Sequence, residues 1–192
     1  MAKRQSGLGL LVAAGALAAA AAALAGSAGS RPAGTEYVST SRGVDGGVML
    51  LWPRIIPANG AGALRPQAVA LRSALRQMMD RALPGRPVEV RPEPQRVCPR
   101  AGCRGISVGA LLLHESRGCA AVAVIGPPGQ TMLRLVPWAG AIKLKATMIP
   151  FRDPPESNLA IEDYVPCQDL ARELAARSGD VQRALAEVGR LR

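Results

Sequence analysis

The chain has 192 residues, 48% hydrophobic and only 3% aromatic, with a formal net charge of +10. This composition excludes a polar disordered chain and supports one core built mainly from Ala, Val, Leu and Ile. A single histidine excludes His-rich metal centres, and the scarcity of aromatic residues argues against a sugar-stacking cleft.

The amino terminus carries the strongest local signal. Lys3 and Arg4 precede an uncharged Ala/Leu run over residues 8–25, and Ala23-Leu24-Ala25 before Gly26 fits the small-x-small rule for signal peptidase. Residues 1–25 therefore read as a signal peptide. The alternative is an uncleaved membrane anchor, for which the run is barely long enough. Lys3 and Arg4 hold the amino end inside, so either reading places the body outside the cytoplasm. It is periplasmic or extracellular after cleavage, or anchored to the inner membrane without it. Residues 26–46 are rich in Gly, Ser, Thr and Ala and read as a flexible linker, which leaves 47–192 as a single folded domain.

Within that domain, "VMLLWPRII" (48–56) reads as one buried strand closed by Pro57. A helix follows from Pro66 to Pro84-Gly85. Val69, Leu71, Leu75, Met78, Met79 and Ala82 lie near one face, and Arg72, Arg76 and Asp80 on another. "VEVRP" (88–92) is a short strand, and the Pro/Gly loop after it carries Cys98 and Cys103. For residues 105–117 the preferred reading is a helix capped by Ser107 and closed by Gly118. The alternative is a strand forming a hairpin with "CAAVAVIG". Strands are expected at "AAVAVIG", at "TMLRLVPW", at "AIKLKATMIPF" with Lys143 and Lys145 on one face, and at "LAIEDYV".

Two helices close the chain, at about 167–177 and 181–191, with Asp180 as cap of the second. Their apolar stripes are Leu170, Leu174 and Ala175, then Ala184, Leu185, Val188 and Leu191. The expected fold is α/β: a small mixed sheet flanked by helices, with two carboxy-terminal helices. In element order alone, residues 48–137 resemble the amino-terminal module of periplasmic TolB-type proteins, which implies the same sandwich and nothing about activity.

The chemistry-bearing residues are few. "IGPPGQTM" (125–132) begins like a phosphate-binding loop, but Thr131, Met132 and Leu133 stand where the second Gly, Lys and Ser/Thr are required, so it reads as a turn. His114, placed on a helix, has Ser116 and Cys119 pointing elsewhere and reads as a boundary residue. Asp153, Glu156, Glu162 and Asp163 do not follow a calcium-loop pattern.

Four cysteines in an exported chain read as two disulfides. Of three possible connectivities we take Cys98 with Cys103 and Cys119 with Cys167, the longer loop stabilising by about 4 kcal/mol. A four-cysteine zinc site lacks its usual spacing, and a redox pair lacks the two-residue motif. Eleven arginines lie over residues 54–117, whereas acids prevail from residue 151 onward. The two blocks either neutralise each other across the fold or leave a basic face at Arg72, Arg76, Arg96, Arg100 and Arg104 for an anionic partner.

The sequence thus predicts an exported, disulfide-stabilised envelope binding or assembly module, leaning away from an enzyme, without cofactor or metal. Its expected partner is an acidic protein or anionic envelope polymer. No nucleic acid is expected, and a membrane only if the amino-terminal segment is retained. The alternatives are an envelope thiol-redox or hydrolytic enzyme and a membrane-anchored accessory subunit.

Overall fold

The computed structural model describes residues 36–37, 46–91, 105–129 and 131–191, all within the compact unit Pro32–Arg192. Residues 1–25, read above as a signal peptide, and Cys98, Cys103, Arg96, Arg100 and Arg104 lie outside the described residues. Among the described residues, no helix is long and apolar enough to cross a membrane.

The fold is α/β. A mixed sheet contains β1 (Glu36–Tyr37), β2 (Val48–Leu50), β3 (Arg54–Ile56), β4 (Val88–Val90), β5 (Ile106–Glu115), β6 (Gly118–Gly126), β7 (Met132–Ala139) and β9 (Met148–Pro150). Its strand order is β1-β4-β2-β5-β6-β7-β9, with β3 also paired to β5. Strands β1 to β5 pair in parallel, and β5, β6, β7 and β9 antiparallel. A second, two-stranded sheet joins β8 (Ala141–Leu144) to β10 (Leu159–Asp163). The pair Glu36–Tyr37 falls inside the stretch read as a linker, yet it bonds to β4 as a short parallel edge.

Helices α1 (Arg65–Ala82), α2 (Leu170–Ala176) and α3 (Ser178–Gly189) contribute to the larger core. There Leu71, Leu75, Met78 and Met79 of α1 meet Leu174, Leu185 and Val188, over Val48, Leu50, Ile106, Val108 and Trp138 of the sheet. Alternation along the strands sends the intervening residues to the opposite face. On that side Leu111, Val122, Val124, Leu133 and Leu135 pack with Ile142, Leu144 and Leu159 of the small sheet.

Several expectations are corrected. Residues 105–117 are not a helix. Every residue from 106 to 112 is buried, and alternate side chains feed opposite faces, which only a strand between two layers can do. The hairpin runs in unbroken register from Ser107–Gly126 to Glu115–Gly118, leaving Ser116 and Arg117 as the loop. The strand expected over 48–56 breaks in two at Leu51-Trp52-Pro53. The strand expected over 141–151 divides into β8 and β9, which belong to different sheets.

In α1, Val69 points outward at 46% exposure, and the buried stripe passes instead through Ala68. Leu191 lies beyond α3 and is exposed. Asp180 sits within the first turn of α3 and accepts a bond from Arg183 at 2.8 Å rather than capping the helix.

A buried ion pair marks the face opposite the helices near the β1 side. Glu89 is fully enclosed and Arg91 nearly so, with 2.6 Å between their charged atoms. Positions two apart on extended backbone share a face, and Arg91, just past β4, still bonds through its N–H to the Leu50 carbonyl, so both side chains are aimed the same way. Across β2, Met49 lies opposite Glu89 on one side and Ser107 on the other.

Candidate functional site

Leu50 lies opposite Val108, and Arg54 opposite Leu111. Three residues, Leu51, Trp52 and Pro53, therefore face two on β5, Gly109 and Ala110. This is a bulge: it bends the strand and re-aims its side chains. The N–H of Leu51 still bonds to the Val108 carbonyl at 2.8 Å, and Pro53 has no N–H to contribute.

A cleft of about 860 Å³ opens beside this bulge. Leu51, Leu111, Val124 and Leu133 form an apolar floor, with Gly109 set among them. The segment following β9, Phe151 to Glu156, supplies one wall, and Ala58, Ala61 and Gly62 before α1 supply another. A concave, mainly apolar site with a few convergent polar groups has the character of a ligand pocket.

The charges at the rim are unevenly compensated. Arg54 pairs with Glu156 at 2.9 Å, and Arg152 approaches Asp153 at 4.0 Å. The guanidiniums of Arg65, which lines the cleft, and of Arg72, which does not, each lie 5.4 Å from the centre of the Trp52 ring, a cation–π arrangement. Neither has a carboxylate partner among the described residues. The Arg54–Glu156 pair joins the basic stretch to the acidic one, so the two charge blocks do neutralise each other at that point.

Of the basic residues singled out in sequence, Arg72 and Arg76 are among the described ones. Arg72 stands over Trp52, while Arg76 pairs with Asp80 at 3.0 Å on the same helix. Arg96, Arg100 and Arg104 are outside the described residues. Trp52, Arg65 and Gly109 were not read as site residues. The available signals were a tryptophan before a proline in a strand-like run and a glycine inside an apolar one.

The disulfide lies elsewhere. Cys119 and Cys167 are bonded, with their Cα atoms 4.9 Å apart. Cys119 is fully buried at the start of β6, and its N–H and carbonyl both bond to Val165. The bond thereby ties the entrance of α2 to the central hairpin. His114 is opposite Cys119 in the ladder, so the two share a strand face, contrary to the helical placement. Next to them Glu115 and Arg117 are 3.3 Å apart, and Arg117 lies over the Tyr164 ring. Among the described residues, no group of three His, Cys, Asp or Glu side chains is placed to hold a metal.

Fold and site together define a disulfide-bonded α/β domain with a sheet-floored cleft. Comparison of the chain with protein-family models, curated proteins and solved structures gives no match.

Proposed function

We propose that this protein is an exported, non-enzymatic binding module whose ligand lodges in the cleft beside the β2 bulge. The cleft is the observation that carries the reading: an apolar floor on a rigid sheet, with cationic side chains confined to the rim. Sites built on strands hold their geometry better than sites on loops. The signal-like amino terminus and the Cys119–Cys167 bond support action in an oxidising compartment. Burial of Cys119 closes one sulfur of the bond to attack, and Cys167 packs half-buried against the core, which together count against the redox alternative.

The test is photo-crosslinking in intact cells, with benzophenone-phenylalanine replacing Phe151 at the cleft wall and, as control, Ser116 at the hairpin tip. A discrete adduct at 151, absent at 116 and formed by protein outside the cytoplasm, is expected. Equal labelling at both positions, or none at 151, would overturn the binding role. A chain recovered only from the cytoplasm would overturn export.

A further inference from the structure

We propose that the cleft takes a single-tailed anionic amphiphile, with its apolar chain across the sheet and its carboxylate or phosphate head beside Trp52. The inference rests on the cleft being the ligand surface, and three observations give it the chemistry.

The first is the shape of the floor. Gly109 lies opposite Val124, and Val124 opposite Leu135, so the floor steps from β2 through β5 and β6 to β7. Three steps of about 4.8 Å give an apolar track roughly 14 Å long. Such a track suits an extended hydrocarbon and offers little to a polar sugar or a polyanion.

The second is Gly109. It sits inside a ten-residue strand, where glycine weakens the sheet. Its backbone does not occupy the left-handed region, so the conformation does not demand glycine, and an added Cβ would touch the Leu51 side chain at an ordinary 3.4 Å, without a clash. The missing side chain leaves room in the middle of the floor, as where a ligand approaches the backbone closely.

The third is the placement of charge. Asp153 and Glu156 in the wall face Arg152 and Arg54, whereas among the described residues Arg65 and Arg72 meet the indole of Trp52 and no carboxylate. Among the described residues, positive charge without a carboxylate partner therefore stands at Arg65 in the lining, with Arg72 against the same indole, beside one end of an apolar track. Guanidiniums suit carboxylate and phosphate because their forked donors form charge-assisted hydrogen bonds. An added peptide strand fits less well: Pro53 and Pro57 flank β3 and blunt its edge.

The experiment is a calorimetric titration of the protein isolated from its native cells with monomeric decanoate, decyl phosphate and decanol. Trp52 fluorescence serves as a second readout, since Trp138 is fully buried. Saturable one-to-one binding of both anions is expected, with decanol at least tenfold weaker. Replacing Arg65 and Arg72 together by Gln should weaken the anions about tenfold and leave decanol unchanged. Gly109→Leu should weaken all three, and Gly109→Ala, the gentler change, should weaken them less while the melting curve is kept.

Equal affinity for decanol, or unaltered binding in both Gly109 variants, would overturn the proposal. So would association with anionic vesicles but not with the monomeric amphiphiles, which would indicate surface adsorption. If these titrations fail while residue 151 still crosslinks a discrete occupant, the ligand class falls and the binding module stands. If both fail, both fall.

Discussion

The indole N–H of Trp138 donates to the backbone carbonyl of Leu174 at 2.9 Å, joining β7 to α2 inside the core. Trp138 is fully buried and is the largest side chain there. Trp138→Phe removes the donor, leaves that carbonyl without it and opens space. A loss of about 2–4 kcal/mol is expected, as an unpaired buried acceptor and a small cavity act together. Chemical denaturation would check this, with the midpoint falling and the slope unchanged.

The Cys119–Cys167 bond spans a sequence separation of 48 residues. The chain-entropy relation gives a stabilisation of about 4 kcal/mol for a loop of that size. Cys119→Ala with Cys167→Ala should lower stability by that order, whereas Cys98→Ala with Cys103→Ala, closing a far smaller loop if bonded, should cost less. Thermal melts of the two double variants compare them directly.

Gly118 opens β6 with a φ of +139°, and a Cβ there would lie 2.3 Å from the Val165 carbonyl oxygen. Both the backbone conformation and the close approach demand glycine. Gly118→Ala should destabilise the domain by at least about 1 kcal/mol and loosen the Cys119–Val165 bridge, raising amide exchange at both residues.

The tip of the β5–β6 hairpin should respond to both acid and alkali. The Tyr164 hydroxyl, and after it Arg117, hold the Glu115 carboxyl below its ordinary value. Burial, and then the bond to Glu115, push the Tyr164 phenol up. A depressed carboxylate stabilises the fold above its unfolded value and loses that contribution as pH falls through the folded one. A raised phenol stabilises below its unfolded value and loses its contribution as pH rises through the folded one. Stability from this pair should therefore fade on acidification below the usual carboxylate range and again above pH 10.0, the ordinary phenol value. Glu187, held low chiefly by its bond to Arg134, adds to the acid limb. Tyr164→Phe should abolish the alkaline limb and shrink the acid one in urea titrations across pH.

The elements with one dominant period were legible in sequence. Leu71, Leu75, Met78 and Met79 announced α1, and Ala184, Leu185 and Val188 announced α3. Residues 106–112 were not, because a strand covered on both faces shows no alternation, and a continuous apolar run suits helix or strand equally. What decided the matter was the partner strand, which no local pattern encodes. Trp52 and Gly109 drew no notice because the cleft is assembled from five separate stretches that meet only once the sheet has formed. The Cys119–Cys167 pairing was legible as one of three connectivities, taken because Cys98 and Cys103 lie close enough in sequence to close a small loop of their own. The placement of Arg65 and Arg72 over one indole depended on the bulge at Leu51-Trp52-Pro53.

The most direct measurement of the central claim is native mass spectrometry of the protein taken from its own cells, beside its Gly109→Leu variant. We expect a single small-molecule adduct on the unaltered chain, with Cys119–Cys167 oxidised, and the bare chain mass for a variant that melts normally. A bare mass for both proteins, or an adduct indifferent to the floor of the cleft, would contradict the assignment of this cleft as the working surface.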